Sequence, residues 1–489
     1  MNNREESAIG AGLPLSEAAG RNWDVLVAGA GPAGALTAYN LARQGGRVLL
    51  VDKASYPRWK VCGCCLNGAT LRALEVAGLG ALPKRLGGVP LQRLELHVRG
   101  QEAVIGLPIG MALSRQALDA ALVAEAIAAG ATFLPQTEAS WLSADERQSR
   151  VRLQQGTEEV VASASVTVAA DGLGGRFLRA RPDMSAAVSP QAPVGLGAIV
   201  ESPPDCYAPH TIYMACSPGG YVGAVRLEDG RLDLAAALDR RRLQDSETPA
   251  AAVSKILQEN GLCSPPGLES LHFRGTPPLT RRRRHVAAER LFVLGDAAGY
   301  LEPFTGEGMS WATQQSLLLT PIVMRAAAGW SAGLAEQWQS CFERFLKERQ
   351  GVCRVATWLV RRPVIAQAAV ATLRRFPGLA CPWVHAVNRP CAGVGANGKC
   401  VWLLGDWARR HLSTASIKNM RLESRRPCWA MGATTGRWRR YFAARRFAVG
   451  PVSCWSGRMG RRRCGAFTGL RPGRRIAVRP RRCGCSALP

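Results

Sequence analysis

Several features that would define a function class are missing from this sequence. No uninterrupted apolar run approaches the roughly 18–20 residues of a transmembrane helix. Residues 1–25 have no basic segment followed by an apolar one, so no secretory leader is expected. Glycine and proline follow no collagen-like period, and an apolar content of 47% excludes a wholly disordered chain. We therefore expect a globular protein of the cytoplasm with reduced thiols, while peripheral membrane contact stays open.

Acidic residues are almost absent from one end of the chain. The 489 residues carry 63 Lys and Arg against 36 Asp and Glu, a net charge of +27. Residues 1–388 hold 40 basic and 34 acidic residues, whereas residues 389–489 hold 23 basic residues and only Asp406 and Glu423 as acids. The charge that would suggest a nucleic-acid partner thus belongs to the last fifth of the chain, and we expect no such partner.

The segment 389–489 lacks the marks of a folded or binding module. It holds 21 Arg, 5 Trp and 7 Cys, shows no sustained apolar period, and has no cysteine pairs at zinc-site spacing. Enrichment in Arg, Gly, Trp, Cys and Pro is typical of GC-rich DNA translated out of frame. We favour a non-native, frameshifted or readthrough end; a disordered functional arm and a folded domain remain alternatives.

A glycine-rich turn is the strongest local motif. The apolar run DVLVAGAG predicts a buried parallel strand, and PAGALTAYNLARQGG predicts a helix that ends in glycines. In the turn between them, Gly29 allows a tight bend, Gly31 lets a pyrophosphate approach, and Gly34 lets the helix pack closely. The next strand ends in Asp52, which suits a ribose hydroxyl. The spacing predicts a dinucleotide site.

Two further strands end in an Asp and Gly pair. SVTVAADG ends at Asp171 and Gly172, and RLFVLGDAAG carries Gly295 and Asp296 before a second glycine-rich turn. A carboxylate there suits a ribityl hydroxyl, and the helix dipole after the turn favours negative charge on a reduced flavin. Among the common dinucleotides, the pattern therefore favours FAD.

These elements, in this order, resemble the FAD-dependent oxidoreductases of the para-hydroxybenzoate hydroxylase type, and most of all their geranylgeranyl-reductase-like branch. The resemblance covers about residues 22–350 and rests on YPRWKVCG (56–63), SRQALDAAL (114–122), AADG (169–172) and LGDAAGYLEPFTGEGM (294–309). It implies that Arg115 reaches toward FAD, that Asp296 binds the ribityl chain, and that Asp171 and Gly172 lie by the pyrophosphate. The full set of implied cofactor residues is Gly29, Gly31, Pro32, Ala33, Gly34, Asp52, Lys53, Arg115, Asp171, Gly172, Gly295, Asp296, Gly306, Gly308 and Met309.

The fold that the resemblance implies is α/β, with a Rossmann-like FAD/NAD(P)-binding domain and an inserted antiparallel-sheet substrate domain. We expect a disordered N-terminus over 1–21, an FAD domain over 22–184 and again over 279–330, a substrate domain over 185–278, and helices over 331–388. The Asp229-Gly230 pair predicts a hairpin turn within the inserted sheet, and Ser114 predicts a helix N-cap.

The implied activity is oxidoreduction with FAD and NAD(P)H, and two outcomes remain open. One is a monooxygenase that hydroxylates or epoxidises an apolar small molecule. The other is a reductase that saturates carbon–carbon double bonds of a prenyl or polyketide-like substrate. The reductase branch carries a tyrosine-and-tryptophan substrate motif, and this chain has Gly220-Tyr221-Val222-Gly223 there without tryptophan. We therefore favour the monooxygenase. A nucleic-acid- or membrane-binding protein with a degenerate flavin fold is the alternative of another class.

Three remaining groups carry weaker predictions. The cluster Cys62, Cys64 and Cys65 is interpreted mainly as loop packing, with Cys62 a candidate redox or positioning residue, and no metal site is expected. The run Arg281–Arg284 reads as a solvated turn, with attraction of an NADPH phosphate as the alternative. No histidine has a neighbouring acid and nucleophile, so none is assigned to catalysis.

Overall fold

The computed structural model describes residues 13–302 and 304–389. Most of the described chain forms two large sheets, two small sheets and the helices around them. The first eleven strands are β1 (Asn22–Ala28), β2 (Val48–Val51), β3 (Cys65–Asn67), β4 (Val89–Pro90), β5 (Arg93–Val98), β6 (Gln101–Gly106), β7 (Gly110–Ala112), β8 (Thr132–Leu134), β9 (Glu138–Ala144), β10 (Ser149–Gln155) and β11 (Glu158–Ala169). The later strands are β12 (Ala186–Val188), β13 (Val194–Val200), β14 (Thr211–Ser217), β15 (Gly220–Arg226), β16 (Leu232–Leu238), β17 (Arg274–Pro278), β18 (Arg281–Arg283), β19 (Ala287–Ala288), β20 (Leu291–Val293) and β21 (Gly299–Tyr300).

The helices precede, separate and follow these strands. They are α1 (Leu15–Gly20), α2 (Pro32–Ala42), α3 (Gly68–Val76), α4 (Leu82–Arg85), α5 (Arg115–Ala128), α6 (Arg240–Gln244), α7 (Pro249–Glu259), α8 (Gly308–Ala328), α9 (Ala332–Val360), α10 (Pro363–Arg375) and α11 (Cys381–Val387). In the described part of the chain, no helix combines the length and the apolar character that crossing a bilayer requires.

The parallel sheet confirms the predicted Rossmann-like core. Its central order is β20-β11-β1-β2-β8, and these neighbours are parallel. Every residue of β2 and β20 is buried, as continuous apolar strands between helical layers should be. The carboxyl ends of β1, β2, β11 and β20 meet at one edge, so the motifs that follow these strands are brought together there.

The second large sheet has seven strands in the order β17-β13-β16-β15-β14-β5-β6. The predicted antiparallel insertion is confirmed, and residues 227–231 form the predicted hairpin around Asp229-Gly230. The predicted boundary is wrong, however, because β5 and β6 come from the first segment, and β14 pairs with β5 in parallel. The β5–β6 hairpin covers the edge that β14 would otherwise leave unpaired.

The predicted helix N-cap at Ser114 is confirmed. The Ser114 hydroxyl caps α5 by accepting a hydrogen bond from the Ala117 amide at 3.0 Å. Pro363 begins α10, since proline suits the first turn of a helix. The expected C-terminal helices over 331–388 are α9, α10 and α11.

Three further expectations need correction. The N-terminus is not disordered up to residue 21, because α1 forms and buries Leu15 and Ala18. The run Arg281–Arg284 is not a turn: residues 281–283 form β18 between β12 and β21. Cys206 and Cys263 are joined in a disulfide, so the expectation of reduced thiols is wrong for this pair. The predictions for residues 1–12 and for the tail from residue 390 onward fall outside the described residues.

Candidate active site

Two glycines of the first motif are fixed by packing within the protein. Gly29 has φ +103°, and a Cβ there would lie 2.4 Å from the carbonyl oxygen of Ala170. A Cβ on Gly34 would lie 1.8 Å from the carbonyl oxygen of Gly29. The turn can therefore lie against the end of β11 only with glycine at both positions.

Asp52 braces the same turn. Its Oδ2 accepts from the Ala30 amide at 2.8 Å, and its Oδ1 accepts from the Ala54 amide at 2.9 Å. The Tyr56 hydroxyl lies 3.1 Å from Oδ2. These bonds hold the strand end and the glycine turn in one geometry. Lys53, beside it, is exposed and does not line the cavity described below.

Gly31 faces open space that two guanidinium groups border. It is the N-cap of α2, and a Cβ there would lie 3.7 Å from Nη2 of Arg58 and 3.8 Å from Nη2 of Arg115. The amides of the first turn of α2 and the two cations point to a site for an anion.

A buried carboxylate positions these cations. Arg115 donates to both oxygens of Asp119 at 2.7 Å, and Nη2 of Arg58 lies 3.4 Å from Oδ2 of Asp119. Burial alone would lower the pKa of Arg115, but Asp119 and then Cys62 more than offset this, and the pKa is raised well above its ordinary value. Arg115 is therefore a fixed positive charge.

Lys60 and Asp296, together with Arg58 and Arg115, form a polar wall beside Gly31. Lys60 Nζ lies 3.1 Å from the position that a Cβ on Gly172 would take. Burial, and then the positive charge of Arg115, lower the pKa of Lys60. Burial raises the pKa of Asp296, while Lys60 opposes that shift. An amine and a carboxyl thus interact electrostatically near the ends of β11 and β20.

A cavity of about 1020 Å³ connects this wall to the seven-stranded sheet. It exceeds the usual range for a single small ligand, about 300–1,000 Å³. Its far side is apolar and is built from β5, β14, β15 and β16 with α9, α10 and α11. The predicted cofactor residues that line it are Gly31, Pro32, Ala33, Arg115, Gly172, Asp296, Gly306, Gly308 and Met309.

Other predicted residues lie behind this surface. Gly29, Gly34, Asp52 and Gly295 shape the turns, and a Cβ on Gly295 would lie 2.9 Å from the Cβ of Ala33. Asp171 does not line the cavity: its Oδ2 accepts from the Phe177 amide at 2.8 Å, so the carboxyl holds its own loop. Of the Asp171 and Gly172 pair, only Gly172 reaches the cavity.

The cysteine cluster does reach the cavity. Cys62, Cys64 and Cys65 all line it beside Arg115. The thiol of Cys64 hydrogen-bonds to Cys62, and together with the charge of Arg115 this lowers the pKa of Cys62. Burial raises the pKa of Cys65. Cys62 is thus the thiol of the cluster with most thiolate character.

Sequence reasoning missed Arg58, Lys60 and Asp119. The four-residue spacing of Arg115 and Asp119 on one helix was a readable signal for an ion pair. Arg58 and Lys60 lie in an irregular loop, and no periodic pattern placed them at the cavity.

The residues of this wall fit FAD. The space over Gly31, the cations Arg58 and Arg115, and the Arg58 Nε that has no hydrogen-bond partner in the described residues suit a diphosphate. Asp296 offers its carboxyl to the chain between diphosphate and flavin, and the adjoining apolar cavity leaves room for a second molecule.

Comparison with known proteins supports the same assignment. The family described as FAD binding domain matches residues 22–333. A digeranylgeranylglycerophospholipid reductase of Methanothermobacter thermautotrophicus is 26% identical over 352 residues, which is 68% of this chain and 82% of the relative.

Two solved structures are similar in fold. A myxobacterial chondrochloren halogenase, described as an FAD-dependent halogenase, has a TM-score of 0.57 at 21% identity, covering 69% of this chain and 81% of that one. PqsL of P. aeruginosa, in complex with 2-aminobenzoylacetate, has a TM-score of 0.53 at 24% identity, covering 65% of this chain and 91% of that one.

Proposed function

We propose, from the premise that this chain belongs to the FAD-binding-domain family and is an FAD-dependent oxidoreductase, that it is an NAD(P)H-dependent monooxygenase of an apolar small molecule. The observation that carries this proposal is the single cavity that runs from the nucleotide wall at Gly31 to the apolar faces of α9, α10 and α11. FAD, when bound, supplies the redox chemistry by accepting a hydride equivalent and delivering electrons to oxygen or to the substrate.

The chain's own residues have four tasks in this proposal. Arg58 and Arg115 bind the diphosphate, and Asp296 orients the cofactor toward the cavity. Tyr221 and Phe304, whose rings meet edge-on at a centroid distance of 5.1 Å, border the apolar space for the substrate. The helices α9, α10 and α11 exclude water from it.

The proposed reductant is NADPH. A second cavity of about 500 Å³ lies beside the loop that follows Gly172, and it is lined by Arg176, Arg179, Arg181, Arg281 and Arg283. Nε of Arg281 and Nη1 of Arg283 have no hydrogen-bond partner in the described residues. Burial lowers the pKa of both groups, and a bound phosphate would oppose that shift by pairing with the guanidinium charges. The proposal extends to a cytoplasmic location, where NADPH is available; the Cys206–Cys263 disulfide is an exception to the reduced thiols usual in that compartment.

The arginine cavity is tested by Arg179→Gln. We expect the KM for NADPH to rise about tenfold, from the loss of one charge-assisted contact, with unchanged flavin content. Arg147→Gln, an exposed arginine in the β9–β10 turn, is the matched control and should keep the KM of the wild type. An unchanged KM in Arg179→Gln contradicts the assignment.

A second candidate is a reductase that saturates double bonds. It is favoured by the likeness to the digeranylgeranylglycerophospholipid reductase and by the apolar cavity. The two candidates separate when NADPH oxidation is followed with and without oxygen, against a panel of aromatic and prenyl compounds. The monooxygenase needs oxygen, and its product gains one oxygen atom. The reductase works without oxygen, and its product gains two hydrogens. Both candidates are contradicted if the flavin-loaded protein fails to oxidise NADPH with every compound of the panel, in the presence and in the absence of oxygen.

A further inference from the structure

Asp233 is a buried carboxyl in the wall of the large cavity. It lies on β16, opposite Ile199 of β13 and Val225 of β15, and is 1% exposed. The alternating residues Leu232 and Leu234 point to the other face of the sheet, into the core formed with α7. Asp233 therefore lies on the face that carries the cavity.

No side chain of the described residues donates a well-formed hydrogen bond to this carboxyl. Both Oδ1 and Oδ2 lack a hydrogen-bond partner. The Cys64 thiol is near enough to favour the charged form of the carboxyl, but it hydrogen-bonds to Cys62. Other buried acids are satisfied: Asp119 pairs with Arg115, Glu302 pairs with Arg361, and Glu307 accepts from the Thr305 hydroxyl at 2.7 Å. In the described part of the chain, Asp233 is the one acid whose buried oxygens have no partner.

The surroundings favour the neutral form of this carboxyl. Burial, and then the negative charge of Cys62, raise the pKa of Asp233 well above its ordinary value. The Cys64 thiol and Arg231 oppose the shift, and Glu228 adds to it. A neutral carboxylic acid in an apolar wall carries one O–H donor.

The fold itself gains nothing from this group. A buried polar group without a partner costs stability, and an apolar side chain of similar size would pack there without that cost. This loss of stability is offset only when a molecule in the cavity accepts a hydrogen bond from the Asp233 carboxyl.

We propose that Asp233 is a substrate-binding residue whose carboxyl donates a hydrogen bond to an uncharged oxygen, a carbonyl or a hydroxyl, on an otherwise apolar substrate. The proposal rests on the proposed function for the existence of such a substrate. It narrows the substrate class, because a hydrocarbon without oxygen would leave the carboxyl unsatisfied.

The experiment uses the full-length FAD-loaded protein and pairs of probes that differ in one carbonyl. The pairs are acetonaphthone with ethylnaphthalene, benzophenone with diphenylmethane, and undecanone with undecane. Calorimetry measures the preference for ketone over hydrocarbon in the wild type, in Asp233→Leu and in Asp233→Asn. Asp229→Asn is the control, because Asp229 is an ion-paired acid at the exposed turn of the same hairpin.

We expect at least one ketone to bind the wild type about tenfold more tightly than its hydrocarbon. Asp233→Leu should lose that preference, Asp233→Asn should keep part of it through its amide donor, and Asp229→Asn should keep all of it. The infrared difference spectrum of the wild type minus Asp233→Asn at neutral pH should show the band of a protonated carboxyl. The proposal is overturned if no ketone binds better than its hydrocarbon, if Asp233→Leu keeps the preference, or if that band is missing.

These outcomes are distinct from a failure of the proposed function. If the ketone preference depends on Asp233 but the protein does not oxidise NADPH, the role of Asp233 in binding is supported and the monooxygenase proposal is refuted. If NADPH oxidation depends on an apolar substrate but Asp233→Leu leaves the ketone preference unchanged, only the proposed role of Asp233 is refuted.

Discussion

Replacing Gly31 by alanine should remove the cofactor without harming the fold. Gly31 has φ −72° and ψ −179°, which any residue adopts. Its new Cβ would meet nothing closer than Arg58 Nη2 at 3.7 Å, an ordinary van der Waals distance. The weaker N-cap costs up to about 1 kcal/mol. The smaller entropy of the unfolded chain offsets about 0.4–1 kcal/mol of that.

The effect on FAD is much larger. The methyl group would occupy the space where the diphosphate approaches the start of α2. If two charge-assisted hydrogen bonds are lost, the binding free energy falls by about 3 kcal/mol or more, which is roughly a 100-fold loss of affinity. The neighbouring Gly34→Ala is the contrast, because its Cβ would lie 1.8 Å from the carbonyl oxygen of Gly29. That overlap should cost the fold about 3 kcal/mol.

The assay has two measurements on each purified variant. Fluorescence titration of the FAD-free protein gives the affinity, and urea unfolding of the same protein gives its stability. Gly31→Ala should lose affinity while its unfolding free energy stays within about 1 kcal/mol of the wild type, and Gly34→Ala should lose both. Full affinity in Gly31→Ala, or equal loss of stability in the two variants, would refute the assignment of this turn to the diphosphate.

Three further predictions address other parts of the molecule. Asp296→Ala should release FAD more readily while the FAD-free protein melts no lower, since this carboxyl has no hydrogen bond in the described chain; undiminished flavin occupancy would contradict its role. Because burial raises the pKa of Asp233, its carboxyl stays protonated to a higher pH in the folded chain than in the unfolded chain, where it ionises at about pH 4. Wild-type stability should therefore fall relative to Asp233→Asn as the pH rises from there toward neutrality; a urea-unfolding difference that does not vary with pH would contradict this. Truncation after residue 389 should leave flavin content and Tm unchanged, and loss of flavin would favour a functional tail.

Local patterns predicted the strand, glycine turn and helix that carry the proposed nucleotide site. The spacing of Gly29, Gly31 and Gly34 is dictated by contacts within a strand–turn–helix unit, so the sequence alone could place them. Ser114 and the Asp229-Gly230 turn are likewise local devices. For Asp52, the ribose role stays a prediction, whereas the structure shows that its oxygens accept from the Ala30 and Ala54 amides and hold the glycine turn.

Long-range pairing set the limit of the sequence reasoning. The position of β5 beside β14 depends on which edge of the sheet is unpaired, and the local sequence around residues 93–98 contains no signal for that edge. Arg281 and Arg283 look like a solvated charge run, yet their guanidinium groups donate to the carbonyl oxygens of Leu173 and Ala297. Asp233 looks like a solvent-facing acid next to a turn, and only the sheet register shows that it faces a cavity.

Flavin content tests the central claim most directly. Full-length protein is purified, its visible absorption spectrum is recorded, and the cofactor released by denaturation is identified and counted against protein. The account predicts about one FAD per chain, present on purification or taken up when FAD is added to the FAD-free protein. Folded protein that carries no flavin and takes up none would contradict it.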